Sequence, residues 1–195
     1  MLSLPDWAFY PIATATAVGM IAAAMSFGDT DHRTSDEIRA EGSFIRGEAL
    51  AGLTTGGGLT AEFLEEDGVR FVRVTAARGP LDGMQSAGAF FTMSPEELEA
   101  FQGHRLRISF QIRASAEQGA DSAFLNLFTP DRGQGAWLPV DVTGSFATYE
   151  LDIQSSSCDW PQAFIAIWPD WQSNSNSIDL QSVRVIALEA SPCGQ

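Results

Sequence analysis

The stretch RLRISFQIR, residues 105–113, decides the fold. Leu106, Ile108, Phe110 and Ile112 fall on one side of an extended chain, and Arg105, Arg107, Ser109, Gln111 and Arg113 fall on the other. One apolar face and one wet face mark a half-buried antiparallel strand. Shorter apolar or alternating runs lie on either side of it, at 59–64, 69–75, 87–92, 123–128, 136–142, 148–153, 164–168 and 178–188. The links between them carry turn chemistry, at Glu66-Asp67-Gly68, Pro130-Asp131-Arg132-Gly133 and Thr143-Gly144-Ser145. One helix signal interrupts the strands. Ser94 as N-cap, Pro95 at the first helical position and Glu97 at the third form a capping box, which predicts a short helix over 95–102. Many short strands at this spacing make a β-sandwich or barrel, and residues 44–195 suffice for one such domain with its own core. Residues 29–43, DTDHRTSDEIRAEGS, are polar and read as a connector with a short helix at 34–40.

Charge narrows the function classes. The 195 residues hold 11 basic side chains against 25 acidic ones, a formal net charge of −14. All of the basic residues are Arg, and the first is Arg33. A nucleic-acid binder needs a basic footprint, which this chain lacks. Without Lys there is no Schiff base and no phosphate loop, so Gly56-Gly57-Gly58 is only a flexible turn. The acidic surface serves solubility near anionic lipid, or meets a basic partner or a divalent cation, and the residues do not decide between these.

Between Asp6 and Asp29 lie 22 residues without charge. As a helix they span roughly 33 Å, against a hydrocarbon layer of about 30 Å. Trp7, Phe9 and Tyr10 sit at one end and Phe27 at the other, like an interfacial belt. A cleaved signal peptide would need a basic n-region, which is missing, although Ala22-Ala23-Ala24 offers a cleavage site. A buried core helix is the other competitor. The expectation is a retained single-pass anchor over 1–28. Seven of its 22 uncharged residues are Ala, and Ala15, Gly19 and Ala23 form a small-xxx-small stripe that would let another transmembrane subunit approach. Arg33, Arg39 and Arg46 pull the carboxy-terminal side toward the cytoplasm. Cys158 and Cys193 pull the other way, because a single pair fits one disulfide in an oxidising compartment, although two separate thiols fit as well. With the acidic, strand-rich domain added, the expected location is the inner membrane with the domain in the periplasm.

The order of elements also carries a resemblance. A short helix and Gly103 lead into HRLRISFQIRAS, followed by AFLNLFTP, a Trp-containing strand, ATYELDIQ, FIAIWPD and IDLQSVRVIAL. This resembles the second half of a jelly-roll carbohydrate-binding module, or a galactose-binding-like domain. The likeness runs over 44–188 in pattern and is sharpest at 101–188; the anchor and residues 29–60 lie outside it. It implies a mostly β, antiparallel jelly-roll sandwich with one short helix, which would follow the one transmembrane helix expected from the uncharged stretch. These are packing motifs, so they speak for fold rather than for sugar binding. The resemblance implies no cofactor beyond the structural calcium such domains often carry, and no matching ligand run stands in this sequence.

Catalytic patterns are sparse. Met84-Gln85-Ser86-Ala87-Gly88 lacks the first Gly of a nucleophile elbow, and His32 and His104 offer no paired base. Two Cys and two His have no zinc spacing. Glu150 and Asp152 share one strand face about 7 Å apart, within reach of a paired-carboxylate hydrolase, but outward acids on such a strand are ordinarily solvated. Aromatics give the best ligand candidates. Trp160, Phe164, Trp168 and Trp171 crowd together, and Trp137 stands on another strand. Phe164, Ala166 and Trp168 alternate with Ile165 and Ile167, so one of these sets is core. Trp137 and Trp171 would stack on sugar rings, with Asp170, Gln172, Asn174 and Asn176 bonding hydroxyls. The expected function is a non-catalytic, membrane-anchored extracytoplasmic binding or interaction module, whose candidate partners are the membrane through residues 7–28, other transmembrane subunits and a glycan; an exposed Trp serves protein recognition equally well. The alternatives are an accessory subunit of a respiratory or photosynthetic membrane complex, and a carbohydrate-active hydrolase.

Overall fold

The computed structural model of the chain describes residues 14, 16–20, 33–79, 88–129, 137–154, 159–172, 174 and 176–191. The chain divides into two compact units, Met1–Arg33 and Thr34–Gln195. In the first, residues 14 and 16–20 are helical and exposed, and the rest of the expected anchor, Ala15 and Ala23 included, lies outside the described residues. Among the described residues no helix is long and apolar enough to cross a membrane. Cys158 and Cys193 also lie outside the described residues, as does Met84–Ala87 of the weak nucleophile motif.

The second unit is an antiparallel sandwich of two sheets. Its elements in chain order are α1 (Ser35–Glu41), β1 (Ser43–Arg46), a 3-10 turn (Gly47–Gly52), β2 (Thr54–Thr55), β3 (Leu59–Glu66), β4 (Val69–Ala76), β5 (Ala89–Thr92), α2 (Pro95–Phe101), β6 (His104–Ala114), β7 (Ser122–Phe128), β8 (Leu138–Asp141), β9 (Ala147–Gln154), β10 (Phe164–Pro169) and β11 (Ser177–Ala190). One sheet runs β3-β4-β11-β6-β9, with β1 also on β11; the other runs β2-β5-β10-β7-β8. From β9 onward the chain alternates between sheets, β9 to β10 to β11, so both sheets are closed by late strands.

Residues 105–113 lie within β6, in the six-stranded sheet, and behave as their alternation predicts. Leu106, Ile108, Phe110 and Ile112 are buried in the core, opposite Ile153, Leu151, Tyr149 and Ala147 of β9. β11 covers the other edge of β6 and contains a bulge at Gln181, where the pairing skips between Leu180 and Ser182. One extra residue shifts the two-residue period by one. Ile178 and Leu180 therefore face the core before the bulge, and Val183 and Val185 face it after.

Two short α-helices stand in this unit, one at the helix expected within the sandwich and one at the helix expected within the connector. Both begin with a capping box, Thr34 with Glu37 and Ser94 with Glu97. The first places Ile38 in the core, and its Arg39 guanidinium donates to the carbonyls of Glu99 and Ala100 in α2. Cations at a helix C-terminus satisfy carbonyls the helix leaves open. The expected connector at 29–43 is therefore shorter than its polarity indicated: the compact unit starts at Thr34, because one buried Ile and two caps suffice to dock a charged helix.

Candidate functional site

The outer face of the five-stranded sheet is aromatic, and its composition follows from alternation in two strands. β7, SAFLNLF, gives Ala123, Leu125 and Leu127 to the core and turns Phe124, Asn126 and Phe128 outward. β10, FIAIWP, gives Ile165 and Ile167 to the core, so the outward set is Phe164, Ala166 and Trp168. Register sets Phe128 beside Phe164, Asn126 beside Ala166 and Phe124 beside Trp168. On the far side of β10, β5 adds Phe90 beside Ala166. The rings pack edge to face, as their quadrupoles favour: Phe90 to Phe164 at 5.2 Å and Phe128 to Trp137 at 5.4 Å between centroids.

Trp137 and Trp171 meet on this face. Their centroids are 6.0 Å apart at 74°, and both rings are half-buried. Trp171 lies 4.3 Å from Phe124, and Trp137 is 6.3 Å from the fully buried Trp168. The Trp137 ring edge would lie 3.1 Å from a Cβ built on Gly88, the residue before β5. Strands sit about 4.8 Å apart, so β8 and β5 on a flat sheet would be about 14 Å apart. The Trp137 ring, from the residue before β8, therefore leans over the face toward β5.

The polar candidates separate. Asp170 is only 6% exposed and has a left-handed φ of 50°. Its Oδ1 accepts from the Gln172 N–H at 3.1 Å and its Oδ2 from the Asn174 N–H at 2.7 Å. The carboxylate is thus spent on holding the loop that presents Trp171. Gln172 and Asn174 are exposed beside that ring in sequence, whereas the Asn176 carbonyl accepts from the Ala76 N–H and secures the end of β4. Trp160 is buried in the core.

Sequence reasoning passed over Asn126. It is fully buried, and among the described residues neither its Oδ1 nor its Nδ2 has a hydrogen-bond partner; the Trp168 indole Nε1 has none among them either. Each such unmade bond costs about 1–3 kcal/mol. An Asn inside an otherwise apolar strand, flanked two residues apart by Phe on the same face, was the signal available.

Elsewhere the carboxylates are paired. Arg107 donates to Asp152 at 2.7 and 3.0 Å, Arg105 donates to it at 3.0 Å, and Arg107 reaches Glu150 at 3.4 Å. The hydrogen bonds from Arg107 hold the Asp152 carboxyl below the usual carboxylate range, with Arg105 adding to the effect. His104 Nδ1 contacts the Gln102 carbonyl at 2.9 Å. Among the described residues no group of three or more His, Cys, Asp or Glu is placed to hold a metal ion, and the donor set for a structural calcium is not found among them.

No family model matches the chain, and no curated protein does. Solved structures do match, and they are antiparallel sandwiches of carbohydrate-binding modules. The N-terminal CBM22-1–CBM22-2 tandem domain from Paenibacillus barcinonensis Xyn10C aligns at TM-score 0.51 and 14% identity over 80% of this chain and 45% of that one. The xylan-binding module CBM15 aligns at TM-score 0.50 and 14% identity over 77% and 99%. The CBM22-1–GH10 modules of Clostridium thermocellum xylanase 10B align at 0.49 and 11% over 71% and 26%. This chain thus spans about a quarter and under a half of the two longer proteins. At these identities the likeness is one of fold: the second unit has the fold of a carbohydrate-binding module.

Proposed function

We propose that this chain is a non-catalytic glycan-binding module displayed from the inner membrane on its periplasmic side. The observation that carries the reading is the Trp137–Trp171 pair, two half-exposed rings 6.0 Å apart on an aromatic face. Indole faces stack on the C–H faces of sugar rings, and the exposed amides of Gln172 and Asn174 stand in the adjoining loop to meet hydroxyls. A solved module of the same fold is named as xylan-binding, which makes xylan the first ligand to try. Non-catalysis is supported at Asp152, because a carboxyl kept ionised by Arg107 and Arg105 is a poor general acid. The 22 uncharged residues ahead of Asp29 supply the anchor, and Cys158 with Cys193 favours the oxidising side.

Electrophoresis in gels containing xylan, followed by calorimetry with xylohexaose, tests the reading. Wild type should be retarded and bind, and Trp171→Ala should bind at least about tenfold more weakly, or about 1.4 kcal/mol, with its circular dichroism unchanged. A wild-type chain that ignores xylan, cellulose and mannan alike, yet leaves mild detergent in company with other membrane subunits, would instead make it an accessory subunit.

A further inference from the structure

Asn126 stands in the middle of the aromatic face, yet it is an amide. Its neighbour across the ladder is Ala166, the smallest outward side chain of β10, and diagonal to it is Trp168. The amide oxygen, the amide nitrogen and the Trp168 Nε1 are all buried, and among the described residues all lack a hydrogen-bond partner. Nothing in a β-strand requires Asn there, and an apolar side chain of like size would avoid the unmade bonds. Unpaired donors and an acceptor inside a dry aromatic frame are compensated when a ligand brings the matching groups.

Trp137 lies over this spot. Leu138 pairs with Leu125 where β8 begins, so Trp137, the residue before β8, enters next to the end of that ladder, and Asn126 stands one residue on from Leu125. Its ring touches Phe128 on one side and Trp168 on the other, and reaches to Gly88. It therefore crosses the strip of sheet that holds Asn126 and Ala166.

We propose that Asn126 and the Trp168 indole N–H form a hydroxyl-reading pocket beneath Trp137, specific for two neighbouring hydroxyls of one sugar ring. The amide Oδ1 accepts from one hydroxyl, the amide Nδ2 donates to the next, and the indole N–H donates to either. Trp137 turns aside to admit the ring and then stacks on it. The pocket rests on the glycan-binding reading and deepens it: stacking gives affinity, and the buried amide gives discrimination. A site that hydrogen-bonds hydroxyls rejects analogues lacking them far more strongly than an apolar pocket does.

The test uses the full chain and three probes, xylohexaose, cellohexaose and mannohexaose, each also as its 2,3-di-O-methyl derivative. Wild type should prefer a free oligosaccharide to its methylated form. Asn126→Leu should bind the free form at least about tenfold more weakly, since it loses two hydrogen bonds. It should also lose the preference, and melt about 2–4 °C higher because an unpaired amide has gone. Asn126→Ala must show the same binding loss should the Leu variant fail to fold. If wild type binds and Trp171→Ala binds weakly, but both Asn126 variants bind and discriminate as wild type does, the pocket is refuted while the glycan-binding reading stands. A lower melting temperature for a folded Asn126→Leu would also overturn the pocket, by showing that the amide is structurally paired. If no probe binds wild type, the glycan-binding reading falls and the pocket falls with it.

Discussion

The two outer faces of the sandwich treat buried polar groups in opposite ways. On the six-stranded sheet, Asp179 has no exposed side-chain surface, yet both its oxygens are occupied. Arg73 Nε donates at 2.8 Å, Arg73 Nη2 at 3.2 Å, Ser115 Oγ at 2.9 Å and Arg113 Nε at 3.0 Å. Arg113 goes on to Glu66 at 2.7 Å, and its guanidinium lies over the rings of Phe71 and Phe146. On the five-stranded sheet, Asn126 and Trp168 are just as buried, and among the described residues their side-chain polar atoms have no such partners. The same fold thus supplies a complete polar network on one side and open hydrogen-bonding capacity on the other. A buried group that is fully paired holds the fold together, whereas one left unpaired is available to a ligand.

The strongest way to break that contrast is Asp179→Ala. It would leave two part-buried guanidinium groups without their carboxylate, so unfolding in urea should show a loss of about 3–5 kcal/mol. On the opposite face Asn126→Leu should go the other way and stabilise. Two losses of equal size would abolish the distinction. The pH dependence sharpens it. Burial pushes the Asp179 carboxyl up, but the hydrogen bonds from Arg73, Ser115 and Arg113 outweigh burial and leave it below its ordinary value. A depressed folded pKa contributes stability that is present above the unfolded value of about 3.9 and lost as pH falls through the folded one. Melting temperature should therefore drop more steeply below about pH 4 in wild type than in Asp179→Asn. Parallel curves would remove Asp179 as the acid-sensitive group.

Gly88→Ala comes next. Gly88 has a φ of 78°, and a Cβ there would lie 2.7 Å from the Ile167 carbonyl oxygen and 3.1 Å from the Trp137 ring. Left-handed strain plus that clash should cost about 2 kcal/mol, seen as an earlier thermal transition. Because the added methyl pushes on Trp137, tryptophan emission should also shift to the red. A variant as stable as wild type would show that the aromatic face is looser than its contacts.

What was legible in the residues followed the range of the interactions. Alternation in residues 105–113 gave the buried set correctly because burial on one face needs only local period. The Ser94 capping box is contained within four residues and was legible, whereas the equally local box at Thr34 went unread. The Gln181 bulge was hidden, since 178–188 looks like one uninterrupted strand until β6 and β4 are laid against it. At the site, Trp137 and Trp171 stood out by residue type, and their meeting joins residues 34 positions apart. Asp170 was expected to face a hydroxyl and instead binds its own loop, a habit of Asp in turns. Asn126 stayed hidden because its importance comes from pairing with β10, some 40 residues on, which no local pattern reveals.

The smallest effect is expected at Arg107→Gln. Its geometry with Asp152 is bidentate, at 2.7 and 3.0 Å, and resembles the pairing at Asp179. The surroundings differ: the side chains of Arg107 and Asp152 are 38% and 31% exposed, against 0% for Asp179. Water already solvates both partners, salt screens them, and Arg105 still serves Asp152 when Arg107 is gone. The melting temperature should move by no more than about 2 °C. The Asp152 carboxyl, followed by NMR titration, should nonetheless rise toward its ordinary value, because the Arg107 hydrogen bonds are the main cause of its depression. A pKa that moves without a matching loss of stability would show that burial, rather than pairing geometry, decides what an ion pair contributes on this face. A loss as large as that of Asp179→Ala would show the reverse, that pairing geometry outweighs burial.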